Sequence, residues 1–380
     1  MGIDQKITVG HLISGDLWAG AEVQTHALLS SLRQEPDLNL IAVVLNEKKL
    51  AAQLRQAGVE TLVVDETRHG FAQIFKILKE KLSGRNIDIL HSHRYKENIL
   101  AGRLKKAGLT RFLVQTVHGT GEQFKGLALL KMKLYTYLNL RQTRRHFDRV
   151  IAVSYDIARH LQGRLPPEKV LTIHNAVDLD HLQPLRNATE TRQALKISDT
   201  APLLGTAGRL VPVKGYDIFL EAARIILQDK PQAMFLIAGD GPLRETLQQK
   251  AAALGLDDSV LFLGFREDIL DIVNSLDIFI MSSHHEGIPM ILLETMALKK
   301  PVVSTAVGGI KEIIEDNLSG LLVKPGDVKA LALACLIILN RPETAAKLGR
   351  GARLRVENEF SIAIQKKRVL ELYRQLAGAK

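Results

Sequence analysis

The feature that most constrains this chain is a pattern that starts, runs its course and then starts again. Short aliphatic or β-branched runs at 7–9, 40–45, 61–64, 87–90, 112–117 and 150–153 are separated by longer helical patterns such as 22–33, 48–57 and 71–81. The runs are continuous rather than alternating, as expected of parallel strands covered on both faces. Gly58 and Gly84 fall just past two of the helical segments, where a helix ends at little cost. A second series of runs follows at 203–206, 233–237, 260–263, 278–281, 301–304 and 320–323. Two successive arrays in 380 residues predict an α/β protein of two doubly wound domains, not one large sheet. The seam is expected in the polar stretch 184–200, after the turn-rich His174-Asn175-Ala176-Val177-Asp178. This gives domains 1–183 and 184–360, with a helical last segment, 361–380.

Such folds bind anions at the ends of their strands, but the common signatures are missing. No run is followed by G-x-G-x-x-G, and no G-x-x-x-x-G-K-[ST] occurs, which argues against a nicotinamide or P-loop enzyme. The single cysteine, Cys335, rules out an intramolecular disulfide framework, and its apolar surroundings suit a buried small hydrophobe. The longest purely apolar run, 330–339, is half the length a bilayer requires, and the N-terminus lacks a signal-peptide layout. A cytoplasmic protein is expected. Charge is concentrated: the window 94–149 carries 13 Lys or Arg against three acidic residues, a net +10 equal to that of the whole chain. That window predicts an anionic partner. With aromatics at only 5% and no accompanying motif, nucleic acid is not expected to be that partner.

The most informative segment runs from Ser282 to Glu294, directly after the run 278–281. Pro289 is suited to a first helical position, Lys299 and Lys300 to a last turn, and Pro301 stops continuation. The N–H groups of Gly287, Ile288 and Met290 at the start of such a helix, with Pro289 shaping the turn between them, form a phosphate cradle at the carboxyl edge of the sheet. Glu286 stands in the preceding loop, and Glu294, eight residues on, is expected on the same side of the helix.

Glu-x7-Glu with Gly-Ile-Pro inside it, preceded by Gly208-Arg209-Leu210-Val211-Pro212-Val213-Lys214-Gly215, resembles the retaining glycosyltransferases of sequence family 4. Other segments are similar in order: Trp18-Ala19-Gly20-Ala21-Glu22 to a Gly-Gly-x-Glu loop, then Thr116-Val117-His118-Gly119, Ala238-Gly239-Asp240-Gly241-Pro242, Phe262-Leu263-Gly264 and Gly308-Gly309. The resemblance covers nearly the whole chain. It implies the GT-B fold, two Rossmann-like domains facing a central cleft, with 1–183 binding the acceptor and 184–360 the nucleotide-sugar donor. It also implies that 361–380 crosses back onto the N-terminal domain.

By the same resemblance, Arg209 and Lys214 clamp a departing diphosphate, whose charge grows as the glycosidic bond breaks. Glu286 meets the sugar ring, His118 contacts the transferred sugar, and Glu294 takes the ribose hydroxyls. Gly20 and Gly208 approach the diphosphate, and Gly264, Phe265 and Arg266 lie near the base. The donor is a UDP-, GDP- or ADP-sugar, with no cofactor and no metal required. Asp178-Leu179-Asp180 is read as capping a following helix rather than holding a metal. A saccharide or lipid-linked acceptor is placed near His91-Ser92-His93-Arg94-Tyr95-Lys96, with His93, Arg94 and Lys96 as its contacts, and the loop after His118, in cell-envelope polysaccharide, lipopolysaccharide or glycolipid synthesis. The basic, leucine- and tyrosine-bearing stretch 125–145 is a candidate contact with an anionic membrane surface, at the inner face of the cell membrane. The competing readings are an epimerase or synthase of the same fold, and a non-catalytic protein that binds anionic surfaces.

Overall fold

The structure, a computed structural model, describes residues 6–119 and 127–378, with the side chains of 127–135 left aside. The chain divides into two compact units, residues 1–176 with 362–380, and residues 177–361.

In the first unit, seven strands form one parallel sheet: β1 (Ile7–Ile13), β2 (Leu38–Val44), β3 (Glu60–Val63), β4 (Ile87–Ser92), β5 (Thr110–Val117), β6 (Arg149–Ala152) and β7 (Val170–Thr172), in the order β3-β2-β1-β4-β5-β6-β7. The apolar runs lack alternation because both faces are covered. Ile74, Leu78 and Leu82 of helix Phe71–Leu82 and Leu100 and Leu104 of helix Tyr95–Lys106 pack on one side. On the other lie Leu28, Leu29 and Leu32 of helix Gly20–Leu32, joined by the last helix, Ile362–Gly378. That helix contributes Val369, Leu370, Leu372, Tyr373 and Leu376 to the core. Each fully buried aliphatic side chain here stabilises by roughly 1.5–3 kcal/mol, so the last helix is part of this unit's core and not an appendage. Strand β7 was not among the expected runs. At three residues, all only partly buried, it lies at the sheet edge and is too short to carry a periodic signal.

Six further strands make the second sheet: β8 (Leu203–Ala207), β9 (Met234–Ala238), β10 (Val260–Gly264), β11 (Ile278–Met281), β12 (Val302–Thr305) and β13 (Leu321–Val323), in the order β10-β9-β8-β11-β12-β13. Its core joins Phe219, Leu220 and Ile226 of helix Tyr216–Asp229 with Leu331 and Cys335 of helix Val328–Asn340. Cys335 is wholly buried, and burial pushes its thiol up. The polar stretch 184–200 carries a helix of its own, Ala188–Ala194. Asn187 accepts from the Glu190 N–H while the Glu190 carboxylate receives the Asn187 N–H, a reciprocal cap that starts the helix. No helix follows Asp178 directly. Its carboxylate accepts the N–H groups of Asp180 and His181 and the His181 ring, closing a turn in place of the expected cap. Among the described residues, no helix is long and apolar enough to cross a membrane.

Candidate active site

Both sheets reverse their strand order once, between β1 and β4 and between β8 and β11. In open parallel sheets, ligands bind beyond the carboxyl ends of the strands at such a reversal. The loops that leave these four strands are the ones the sequence marks out.

In the second unit, the loop after β8 and the loop after β11 are locked together. Gly215 has φ 62°, and a Cβ there would stand 2.2 Å from the Ser282 carbonyl oxygen, so only glycine fits. Ser282 Oγ donates to the Gly215 carbonyl (2.7 Å), and the His284 N–H donates to the Val213 carbonyl (2.8 Å). This closure brings Lys214 to Glu286: Nζ donates to Oε1 at 2.7 Å, and Ser283 Oγ donates to the same oxygen at 2.6 Å. The Glu286 carboxylate is about one-tenth exposed. From the other side, Gly309 N–H donates to the Glu286 carbonyl (3.1 Å). A Cβ on Gly308, φ 45°, would fall 2.0 Å from that same carbonyl oxygen. Glu286 is therefore held by its backbone, and its charge is balanced by one ammonium and one hydroxyl. Tyr216 is buried beneath this pair, and burial together with the Glu286 charge pushes its phenol up.

Gly208 lies beside Lys214, since a Cβ there would be 3.7 Å from Lys214 Cε. Arg209 follows, exposed. The turns after β8, β9 and β10 are tied in a row by Gly208 N–H to the Ala238 carbonyl (2.9 Å) and Gly239 N–H to the Gly264 carbonyl (2.7 Å). In the last of these turns Phe265 is 60% exposed, and Arg266 is turned onto Asp268 (2.7 and 2.6 Å).

Helix Met290–Ala297 starts one residue later and ends three residues earlier than expected. Pro289 (φ −74°, ψ 126°) is its cap, not its first turn. Lys299 adopts φ 59°, and the Lys300 N–H closes back on the Thr295 carbonyl (3.2 Å), a left-handed exit that stops the helix before the two lysines. Within it, Glu294 is partly buried, and burial pushes its carboxyl up to about 7.

The first unit's reversal gathers histidines. His11 of β1 and His91 of β4 are register partners, His93 follows two residues on, and His118 leaves neighbouring β5. His11, His91 and His93 are buried. Nδ1 of His11 lies 3.1 Å from Nε2 of His93, and Nδ1 of His93 lies 3.2 Å from Nε2 of His118. Tyr373, from the last helix, places its hydroxyl 2.6 Å from His91 Nδ1 and 3.0 Å from His11 Nε2. Burial lowers all four imidazoles, His11 to about 3 and His118 to about 4.

Among the described residues, His11, His91 and His93 are the one grouping close enough to hold a metal ion, with nitrogens within 4.8 Å of one another. The rings do not converge, however. His91 and His93 are stacked at 4.8 Å and 9°, so their in-plane lone pairs run side by side, whereas zinc needs nitrogens aimed at one point about 2.0–2.1 Å away.

His93 is thus enclosed with both nitrogens engaged. Arg94 pairs with Asp16 (2.8 Å) and with wholly buried Glu22 (2.5 Å), and Lys96 pairs with Glu66. Burial raises the Glu22 carboxyl, opposed by Arg94. Gly20 is the exposed first residue of helix Gly20–Leu32. The loop after His118, 120–126, and the side chains of 125–135 lie outside the described residues.

Sequence reasoning passed over His11 and Tyr373, and named His91 and Ser283 only within the stretches 91–96 and 282–294, without a role of their own. The signal for the two histidines was there, a titratable residue in the middle of an apolar strand. Tyr373 had none, because its partners are more than 280 residues away.

Two Rossmann-like units, each a doubly wound parallel sheet with its marked loops at the point of reversal, make this a protein of the GT-B class. Residues 187–355 match the family described as glycosyl transferases group 1, and residues 18–181 match glycosyltransferase family 4. D-inositol 3-phosphate glycosyltransferase of Saccharomonospora viridis is 31% identical over 314 residues, 77% of this chain and 71% of that protein. The UDP-Gal:alpha-D-GlcNAc-diphosphoundecaprenol alpha-1,3-galactosyltransferase of Escherichia coli is 26% identical over 307 residues, 79% and 77%. The crystal structure of Anabaena HepE with UDP-glucose is alike in fold, with a TM-score of 0.84 at 21% identity over 97% of this chain and 100% of that one. The chain belongs to the group 1, family 4 glycosyltransferases, and its reaction is the transfer of a sugar.

Proposed function

We propose that this chain moves a hexose from a nucleotide diphosphate sugar to a saccharide or lipid-linked acceptor, with retention at the anomeric carbon and without a metal. The observation that carries this reading is the Lys214–Glu286 pair at 2.7 Å, pinned between two glycine-dependent loops at the strand reversal. A mobile ammonium held on a carboxylate can turn to a phosphate as that phosphate gains charge, and it then acts more strongly in the transition state than in the ground state. Arg209 adds the second cation. The first turn of helix Met290–Ala297, with Gly287 and Ile288 before it, offers N–H groups to the same anion. Glu286 takes sugar hydroxyls, Glu294 the ribose hydroxyls, and Gly264, Phe265 and Arg266 lie toward the base. Departure of the diphosphate and attack on the same face let a leaving-group oxygen receive the acceptor proton, so no protein base is needed.

In this proposal the second unit binds the donor and the first binds the acceptor, with His118 touching the transferred sugar and Arg94 and Lys96 toward the acceptor. UDP is the first nucleotide to try, because the name of the Escherichia coli relative carries UDP-Gal and the Anabaena structure holds UDP-glucose. The diphosphoundecaprenol in that relative's name favours a lipid-linked acceptor in envelope glycan synthesis. Helix Leu127–His146 supports membrane contact at the cytoplasmic face, with Tyr137, Leu138, Arg141, Arg144 and Arg145 exposed.

Lys214→Ala and Glu286→Gln should each lower transfer from a panel of UDP-, GDP- and ADP-sugars by about 100- to 1,000-fold, with circular dichroism unchanged. Full turnover in both variants would end the proposal. Flotation with anionic liposomes should show salt-sensitive binding, weakened by Arg144→Glu.

A further inference from the structure

The histidines of the first unit form a line rather than a cluster. Thr116 Oγ1 lies 2.7 Å from His91 Nε2, His91 Nδ1 lies 2.6 Å from the Tyr373 hydroxyl, and that hydroxyl lies 3.0 Å from His11 Nε2. His11 Nδ1 then meets His93 Nε2, and His93 Nδ1 meets His118 Nε2. Each interior ring nitrogen is used once. The nitrogen at the end, His118 Nδ1, is enclosed and has no partner among the described residues.

A neutral imidazole has one N–H and one lone pair, so each ring passes on the direction it receives; the Tyr373 hydroxyl does the same or accepts from both of its rings. Burial keeps all four rings neutral at ordinary pH. Double acceptance at Tyr373 leaves both its own hydrogen and His118 Nδ1 unmet, so two directional arrangements of the whole line remain to be compared. If donation runs from His118 toward Thr116, the buried Thr116 hydroxyl hydrogen has nowhere to go and His118 Nδ1 is an unfilled acceptor. If it runs from Thr116 toward His118, every hydrogen is placed until the last, and the one unmet donor is the His118 Nδ1–H. An unmet buried polar group is destabilising, so the second arrangement, with fewer of them, is favoured.

We propose that Thr116, His91, Tyr373, His11 and His93 form one directional hydrogen-bond relay that fixes His118 as its Nδ1–H tautomer. Tyr373 and His91 are then positioning residues for a histidine that offers a donor to a substrate oxygen. The tautomer assignment stands on the geometry of the line and the burial of its rings; only its use on substrate rests on the proposed sugar transfer.

The test is ring 15N NMR of the full chain, with His118→Gln to assign the resonances. The wild type should show His118 protonated at Nδ1 and bare at Nε2. Tyr373→Phe removes the donor to His11, and Thr116→Val removes the first donor of the line. Each should shift His118 toward a mixture with the Nε2–H form, while Thr116→Ser keeps the wild-type spectrum. With a working donor, both disrupting variants should lower kcat about 10- to 100-fold and leave the donor KM within about twofold.

An Nε2–H His118 in the wild type would overturn the relay. So would a His118 spectrum unchanged in both variants, or Zn2+ alone moving the His11, His91 and His93 resonances together at equal concentration. If Tyr373→Phe fails to fold, Thr116→Val carries the test. If no nucleotide sugar is turned over, the spectra still decide, and the function and the relay fail separately.

Discussion

Two carboxyl groups give this protein a pH dependence that can be read residue by residue. Burial pushes Glu294 up to about 7, and its proposed task, accepting two ribose hydroxyls, needs the ionised form. The donor KM should therefore fall as pH rises from 6 to 8. Glu294→Gln should flatten that profile; a profile unchanged in the variant removes Glu294 from ribose binding. Glu97 is 1% exposed, neither oxygen has a partner among the described residues, and burial raises it from 4.5 to about 7. Its folded form holds the proton more tightly than the unfolded chain does, so folding stability is lost as pH rises from about 4.5 to 7 and then levels off. Glu97→Met should gain about 3 kcal/mol more at pH 8 than at pH 4 in urea unfolding. Neither shift was legible in the sequence. Glu294 was singled out by its spacing from Glu286, but spacing says nothing of what covers a side chain.

At the scale of elements, two backbone positions place the charged pair. Gly308→Ala must move the Glu286 carbonyl away from a Cβ 2.0 Å off and also strain a φ of 45°. Transfer should fall by at least about tenfold with only a small change in Tm; an unaffected rate would mean that Glu286 does not need this support. The sequence made the helix before Pro301 visible, because a proline at each end brackets an apolar segment. It missed the start by one residue and the end by three, the end because Lys299 takes the left-handed turn that a glycine usually signals. Helix Ala188–Ala194 lay hidden in a polar stretch, and Asn187 and Glu190 look like surface residues until their reciprocal bonds are seen. The ion pair itself was not legible. Lys214 and Glu286 are 72 residues apart, and only the adjacency of β8 and β11 brings them together.

For the whole molecule, the two units differ in how the chain builds them. Residues 177–361 are continuous, whereas 1–176 need 362–380. Expressed alone, 177–361 should give a cooperative thermal transition and bind UDP or another nucleoside diphosphate in a thermal-shift assay. Residues 1–176 alone should precipitate, because Leu28, Leu29 and Leu32 lose the apolar cover that Val369, Leu370, Leu372 and Leu376 provide. A short Gly-Ser linker from 176 to 362 should restore solubility, since Val177 and Ser361, which flank the ends to be joined, already pair in one bridge. Soluble, cooperatively folding 1–176 would contradict this account. The repeat of the strand pattern made two sheets legible from the sequence. Tyr373 shows the limit of that, because its place between His11 and His91 depends on a return path that no local pattern encodes.

That return path sets an order of events on the ribosome. The unit begun first is the one finished last: its sheet can be made and partly paired while the later residues are still being added, but one side stays only partly covered until the helix Ile362–Gly378 emerges. The nascent protein therefore carries an incomplete N-terminal half throughout the synthesis of a complete C-terminal one, and translation that stops short of 362 releases a chain with half its architecture sound and half exposed to chaperones and proteases.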